Sequence, residues 1–237
     1  MTPVRLNPPL ARGTLRRRYK RFLADVVTAE GRAITMFCPN TGAMLGCSEP
    51  GSTVWFSASN NPTRKYRHTL EVVLTALGRV GVNTARANDL VAEALDAGGV
   101  AELTGYGTIT REVRIPHENG RFDFLLSEPG RADCYVEVKS LTLGYPDGTG
   151  AFPDTESKRA LRHVRALEAR VKNGERAVLL YCVQHTGIRV ATTADDIYPA
   201  YGEAVRSALD SGVEVLARSC RIERDEISLG DKIVVRA

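Results

Sequence analysis

No apolar run in this sequence approaches the roughly 18 residues that a membrane-crossing helix needs, so no membrane partner is expected. The N-terminus is basic and proline-containing where a secretory signal would carry an apolar stretch. The expectation is a soluble, cytoplasmic protein. Cysteine is sparse and odd in number: the five are Cys38, Cys47, Cys134, Cys182 and Cys220, with no CxxC pair. That pattern argues against a zinc site or a disulfide framework and points to buried, reduced thiols. The four histidines, His68, His117, His163 and His185, show no metal-ligand spacing. Internal repeats and low-complexity segments are also missing. What remains is an ordinary apolar content, sufficient for a real core. The 237 residues fit one large domain or two small ones.

Charge is unevenly spread. Residues 1–85 hold 12 Lys and Arg against 4 Asp and Glu, a net of +8, and the remainder holds 20 against 24, a net of −4. A basic first third suggests a polyanionic partner. The charges cluster in Arg16-Arg17-Arg18-Tyr19-Lys20-Arg21 and Arg64-Lys65-Tyr66-Arg67. From these, Arg17, Arg18, Lys20, Arg64, Lys65 and Arg67 are the expected electrostatic contacts to nucleic acid. Aromatics lie among them (Tyr19, Phe22, Trp55, Phe56, Tyr66), as single-strand binding requires. The alternation over residues 54–56 assigns some of those rings to a core instead.

Short apolar runs at Phe22–Thr28, Ala33–Phe37, Thr53–Ala58 and Leu70–Leu77, separated by turn residues, predict a small all-β barrel over residues 1–84. A five-stranded oligonucleotide-binding (OB) fold fits this length and charge. The pattern then changes. Helical spacing over Asn88–Ala97, Thr155–Lys172 and Tyr198–Leu209 alternates with strand-like runs at Tyr106–Ile115, Phe122–Leu126, Tyr135–Leu143, Ala177–Val183, Ile188–Thr192 and Val213–Ala217. Residues 85–237 are therefore expected to form an α/β (α+β) domain with a mixed sheet.

The chemistry concentrates in Arg121-Phe122-Asp123-Phe124-Leu125-Leu126 and Cys134-Tyr135-Val136-Glu137-Val138-Lys139. Side chains alternate along a strand, so Glu137 and Lys139 share a face and Val138 takes the other. Two carboxylates and a lysine on adjacent strands are the layout of a metal-dependent phosphodiester-cutting site. A hard cation such as Mg²⁺ prefers carboxylate oxygens and activates water. Asp123 and Glu137 would hold it, with the carbonyl of Val138 as a neutral ligand and Lys139 stabilising charge on the phosphate. By pattern alone, Glu-x-Lys reads equally as a surface ion pair; its apolar neighbours ask for a partner or a metal. Glu93 and Glu112 are candidate third acids, each equally readable as a solvated carboxylate. Arg159 and His163 lie one helical turn apart, on a face suited to phosphate or to solvent.

Several ordered segments, from Arg18-Tyr19-Lys20-Arg21-Phe22 through Cys38-Pro39-Asn40-Thr41-Gly42-Ala43-Met44, Asn61-Pro62-Thr63-Arg64-Lys65 and the two acidic strands to Phe152-Pro153-Asp154, resemble the sugar fermentation stimulation protein A family. The resemblance runs from about residue 14 to the C-terminus. It implies an OB barrel followed by a restriction-endonuclease-like domain of the PD-(D/E)XK type, with Asp123 as the first acid and Glu137 and Lys139 as the E-x-K half. It also implies DNA binding and a link to the regulation of sugar (maltose) metabolism; with no helix-turn-helix evident, that binding is expected to be largely without sequence preference. DNA, single- or double-stranded, is the expected partner, and RNA is not separated from it. The sequence departs from the family where Ala43 replaces a serine and Ala160 a glycine. Two functions fit: a DNA-binding protein with a Mg²⁺-dependent nuclease site, or a non-catalytic DNA-binding regulator. Oligomeric state is not legible.

Overall fold

The structure is a computed structural model that describes residues 4–6, 8–115 and 120–237. His117 lies outside the described residues. In chain order the elements are β1 (Val4–Arg5), β2 (Ala11–Tyr19), β3 (Leu23–Thr28), β4 (Ala33–Phe37), β5 (Thr53–Ala58), β6 (His68–Thr75), β7 (Gly78–Gly81), α1 (Arg86–Asp96), β8 (Thr108–Arg114), β9 (Arg121–Ser127), β10 (Cys134–Leu141), β11 (Leu143–Gly144) and β12 (Thr149–Phe152). They continue as α2 (Lys158–Lys172), β13 (Arg176–Val183), β14 (Val190–Thr193), α3 (Pro199–Asp210), β15 (Glu214–Ile222), β16 (Glu226–Lys232) and β17 (Val234–Arg236).

Strands β4-β3-β2-β5-β6 run side by side, and β4 closes on β6 through a parallel pairing of Phe37 with Thr69. Closure makes a barrel with the OB strand order, to which β7 adds an edge. Its interior holds Leu15, Val26, Met36, Val54, Phe56, Leu70 and Val73. Strand β2 contains most of the first basic cluster, ahead of the first expected strand at Phe22–Thr28. Its odd positions Gly13 and Leu15 point inward while the arginines face out, so a charged run still forms a strand.

The second domain is built on a mixed sheet ordered β1-β16-β15-β13-β10-β9-β8. Strands β10, β13 and β15 are parallel neighbours, and β9 and β16 flank them antiparallel. Buried on both faces, β13 is the unbroken apolar run Ala177–Val183. One face packs on α1, the other on α2 and α3. A smaller sheet, β11-β12-β14-β17, sits beside it. Helix α2 begins three residues later than its periodicity predicts, because the Ser157 hydroxyl accepts from Ala160 N at 3.2 Å and caps it.

The domains are joined by core, not by a linker. Trp55 and Val72, on the outside of the barrel, share a cluster with Leu90 and Val91 of α1. The N-terminal segment also crosses over: β1 pairs with β16, Leu6 and Leu10 bond to the backbone of Asp225 and Arg224, and Leu10 packs in that cluster, so Val4–Leu6 and Leu10 lie against the second domain. A buried ion pair fixes the corner. Glu71 of β6, 2 % exposed, accepts from Arg86 Nε at 2.6 Å and Nη2 at 3.0 Å, from Ser57 Oγ at 2.7 Å and from Asn83 Nδ2 at 2.8 Å. Removing one partner of such a pair strands the other. Glu71→Ala should cost about 3 kcal/mol in urea unfolding, and Glu71→Gln, which keeps some hydrogen bonds, should cost less.

Candidate active site

Glu137 lies mid-strand on β10, between β9 and β13, and is 2 % exposed. Val136 and Val138 turn to the α1 face and Glu137 to the α2 face, as strand alternation requires. There its Oε1 receives the ammonium of Lys139 and meets His163 Nδ1, on α2, at 2.5 Å. Its Oε2 is buried with no hydrogen-bond partner. Burial pushes this carboxyl up, but the Lys139 charge and the His163 hydrogen bond outweigh it and hold the group below its ordinary range.

Asp123 sits where β9 separates from β10. The two strands pair from Cys134 opposite Leu126 to Val136 opposite Phe124 and no further. Freed from the ladder, the Asp123 carboxylate accepts the Val138 N–H at 2.7 Å and Asn88 Nδ2, from α1, at 2.7 Å. Even so, burial and then the negative charge of Glu137 push its carboxyl up to about 6. Two close carboxylates that raise the proton affinity of one member make a place for added positive charge.

A cavity of about 340 Å³ opens over these groups. Asp123, Glu137, Lys139, Asn88 and Arg159 line it from the second domain, and Arg21, Asn40 and Thr41 from the barrel. Among the expected residues, Asp123, Glu137, Lys139, Arg159 and His163 come together. Glu93 and Glu112 do not. Glu93 lines a separate pocket with Asp89, Asp96 and Arg111 on the far face of α1. Glu112 is exposed on the edge strand β8, at φ 57°, with Arg121 at 3.8 Å. Among the described residues, no group of three or more His, Cys, Asp or Glu side chains is arranged to hold a metal. Any cation would rest on two carboxylates completed by backbone carbonyl and water. Asn88 and Arg21 were missed as site residues: Asn88 belongs to no motif, Arg21 sits in the first basic cluster without being picked from it, and only the chain path brings them here.

The expected nucleic-acid contacts divide. Lys20, Arg64, Lys65 and Arg67 are exposed, at the β2–β3 turn and in the β5–β6 loop, the two loops that flank an OB binding face. Arg17 is exposed but paired with Asp25 at 2.8 Å. Arg18 is not free at all. Its guanidinium donates to the carbonyls of Arg21, Asn40, Gly42 and Ala43 at 2.8–3.3 Å and ties the loop at 40–43 to the barrel. Trp55 and Phe56 are core. The five cysteines are free and buried, as expected.

Residues 17–82 match the family model described as the SfsA N-terminal OB domain, and residues 85–226 match the sugar fermentation stimulation protein RE domain. A sugar fermentation stimulation protein homolog from Pseudoalteromonas atlantica is 51% identical over 225 residues, 94% of this chain and 96% of that one. The homolog from Shewanella denitrificans is 52% identical over 227 residues, 94% and 95% of the two chains. Among solved structures, Pyrococcus furiosus SfsA in complex with Ca²⁺ superposes with a TM-score of 0.89 over 100% of both chains, at 23% identity. That likeness shows a shared fold. The second family match alone takes in more than half of the chain, and the chain belongs to the sugar fermentation stimulation protein family.

Proposed function

We propose that this protein binds DNA and cleaves phosphodiester bonds at Asp123, Glu137 and Lys139 with the help of a divalent cation, Mg²⁺ being the first candidate. The observation that carries the reading is the bare Oε2 of buried Glu137. A buried carboxylate oxygen without a donor is costly, and a cation held between it and Asp123 would remove both that cost and the repulsion between the two acids. The donor set is hard oxygen, which suits Mg²⁺ or Ca²⁺. The relative from Pyrococcus furiosus was solved with Ca²⁺, in keeping with that preference. When bound, such an ion would neutralise phosphate charge and lower the pKa of a coordinated water.

The protein's own groups divide the remaining work. Asn88 and the Val138 N–H fix the Asp123 carboxylate. His163 and Lys139 hold Oε1 of Glu137 and leave Oε2 without a hydrogen-bond partner. Lys139, 12 % exposed at its side chain, is also the cation nearest to a phosphate brought over the acids. The exposed Lys20, Arg64, Lys65 and Arg67 would draw in the phosphate backbone. A connection with sugar (maltose) metabolism would act through DNA, because carboxylates, lysine and arginine in one cavity suit a phosphodiester.

Incubation of the pure protein with single- and double-stranded DNA and Mg²⁺ should give cleavage products. Glu137→Ala should abolish them, whereas Lys139→Ala should slow turnover by roughly 10²–10³-fold yet keep the rise in Tm caused by Mn²⁺ or Mg²⁺. Equal cleavage by Glu137→Ala would refute the assignment. His163→Gln, retaining a hydrogen bond to Glu137, should stay within a few-fold of the parent, and His163→Ala should lose about 10–100-fold. A second reading, a DNA-binding regulator without catalysis, is favoured because no group of three or more His, Cys, Asp or Glu side chains is arranged to hold a metal among the described residues. It predicts salt-sensitive binding and no cleavage with any divalent ion.

Proton linkage gives a separate check. Without metal, Asp123 titrates near 6, above the ordinary value of 3.8, so its contribution to stability is present at low pH and is lost as pH rises to about 6. Glu137, held below its ordinary range, contributes in the opposite sense. A cation must displace the Asp123 proton. The Mg²⁺- or Mn²⁺-induced rise in Tm should therefore be large at pH 7.5 and shrink steadily below pH 6, with about tenfold lower affinity per pH unit. A shift that is flat across this range would place the cation elsewhere.

A further inference from the structure

The cavity over the acids is a two-domain cavity, and the barrel contributes one cation to it, Arg21. None of the six basic residues first expected to contact nucleic acid lines it. Arg159, at the start of α2, is the cation from the second domain that accompanies Lys139. Unlike Lys139, Arg21 and Arg159 have no carboxylate within ion-pair distance among the described residues; Arg21 donates to the Thr41 carbonyl at 2.8 Å. Two guanidinium groups are thus left for an anion, one from each domain.

Arg21 is held in place by a built structure. Lys20 and Arg21 both adopt left-handed backbone, at φ 49° and 64°, at the β2–β3 turn. Arg18 fastens that turn, donating to the Arg21 carbonyl at 3.0 Å and to the carbonyls of Asn40 and Gly42 at 2.9 and 2.8 Å. The same loop is latched to the second domain. Asp154 accepts the Met44 N–H at 2.8 Å, and a Cβ on Gly42 would lie 2.3 Å from its carboxylate. The next residue, Phe22, is 46 % exposed and follows Arg21 just outside the residues that line the cavity.

A scissile phosphate must come close to Glu137, a group that is 2 % exposed, between walls from two domains. Duplex DNA is a stiff rod with its phosphates outermost. An unpaired strand can bend between the walls and turn a base onto a ring. Resting on the reading of this cavity as the phosphodiester site, we propose that its substrate is unpaired nucleic acid. Arg21 and Arg159 hold phosphates on either side of the scissile bond, and Phe22 stacks the adjoining base.

Binding measured in EDTA, where neither metal nor cleavage enters, tests this. The probes are a fluorescein-labelled oligo-dT strand, an oligo-U strand of the same length, and the dT·dA duplex, followed by anisotropy with the full chain. The single strands should bind about tenfold tighter than the duplex. Arg21→Gln, Arg159→Gln and Phe22→Ala should each lose about tenfold on single strands and little on the duplex. Phe22→Trp should keep the affinity and report the strand by quenched indole fluorescence, which also shows that the turn is folded. Duplex binding as tight as single-strand binding, or single-strand affinity unmoved by Arg21→Gln in a variant of unchanged Tm, would overturn the proposal. The two ideas fail separately. A protein that never cuts but grips single strands through Arg21 refutes the nuclease, and one that cuts duplex with Arg21 idle refutes the unpaired substrate.

Discussion

The second domain is arranged around one costly act, the burial of a carboxylate in the middle of a sheet. Glu137 is almost without solvent, and an isolated ion there would be expelled or neutralised. Its ionised state survives because Lys139 leaves the same strand on the same face and α2 delivers His163 to the same oxygen. Much of the surrounding architecture follows. Helix α2 must lie across β10 at the height of Glu137. Its Ser157 cap fixes where the helix starts, and hence where Arg159 and His163 fall on it. The sheet must also part at Asp123, since a continued ladder would use the Val138 N–H that the Asp123 carboxylate accepts.

A second constraint binds the barrel. An OB barrel on a flexible tether would act as an independent binding module. Here Trp55 and Val72 bury themselves against α1, Glu71 reaches Arg86, and Asp154 takes a backbone donor from the loop at 40–44. Each contact is of a kind that tolerates little change: an apolar face, a buried ion pair, and an approach so close that only glycine fits at position 42. Together they fix the barrel's first turn relative to the acids.

Part of this was legible in the sequence. The two-residue period of a strand was enough to put Glu137 and Lys139 on one face, and apolar neighbours marked them as buried. The barrel and the mixed sheet followed from the spacing of short runs and turns. What failed did so for physical reasons. Glu93 was picked from helical periodicity, but Asn88 is the α1 residue that reaches Asp123, and five residues turn a helix by about 140°, which sends Glu93 to the opposite side. The basic run in β2 was not among the expected strands because its charge masks an inward alternation of small and apolar residues. Strand β16 was invisible for a related reason, carrying polar residues at alternate positions.

Arg18 shows why charge counting misleads at this scale. A surface census treats it as one more cation for phosphate, yet its guanidinium is spent on four backbone carbonyls, and its Nε is buried without a partner. Arginine suits this task, since a planar fork with five donors can satisfy several carbonyls from one position and lysine cannot. Arg21, three residues on, is left with its charge available, and it is oriented because Arg18 is not. The two residues are alike in sequence and opposite in use. The difference comes from the reversal of the chain at the β2–β3 turn, which spends one guanidinium on four backbone carbonyls and leaves the other, bonded to the Thr41 carbonyl alone, lining the cavity. On the proposed function, net charge would set the long-range attraction for a polyanion, and the fold of one tight turn would decide which arginine meets it.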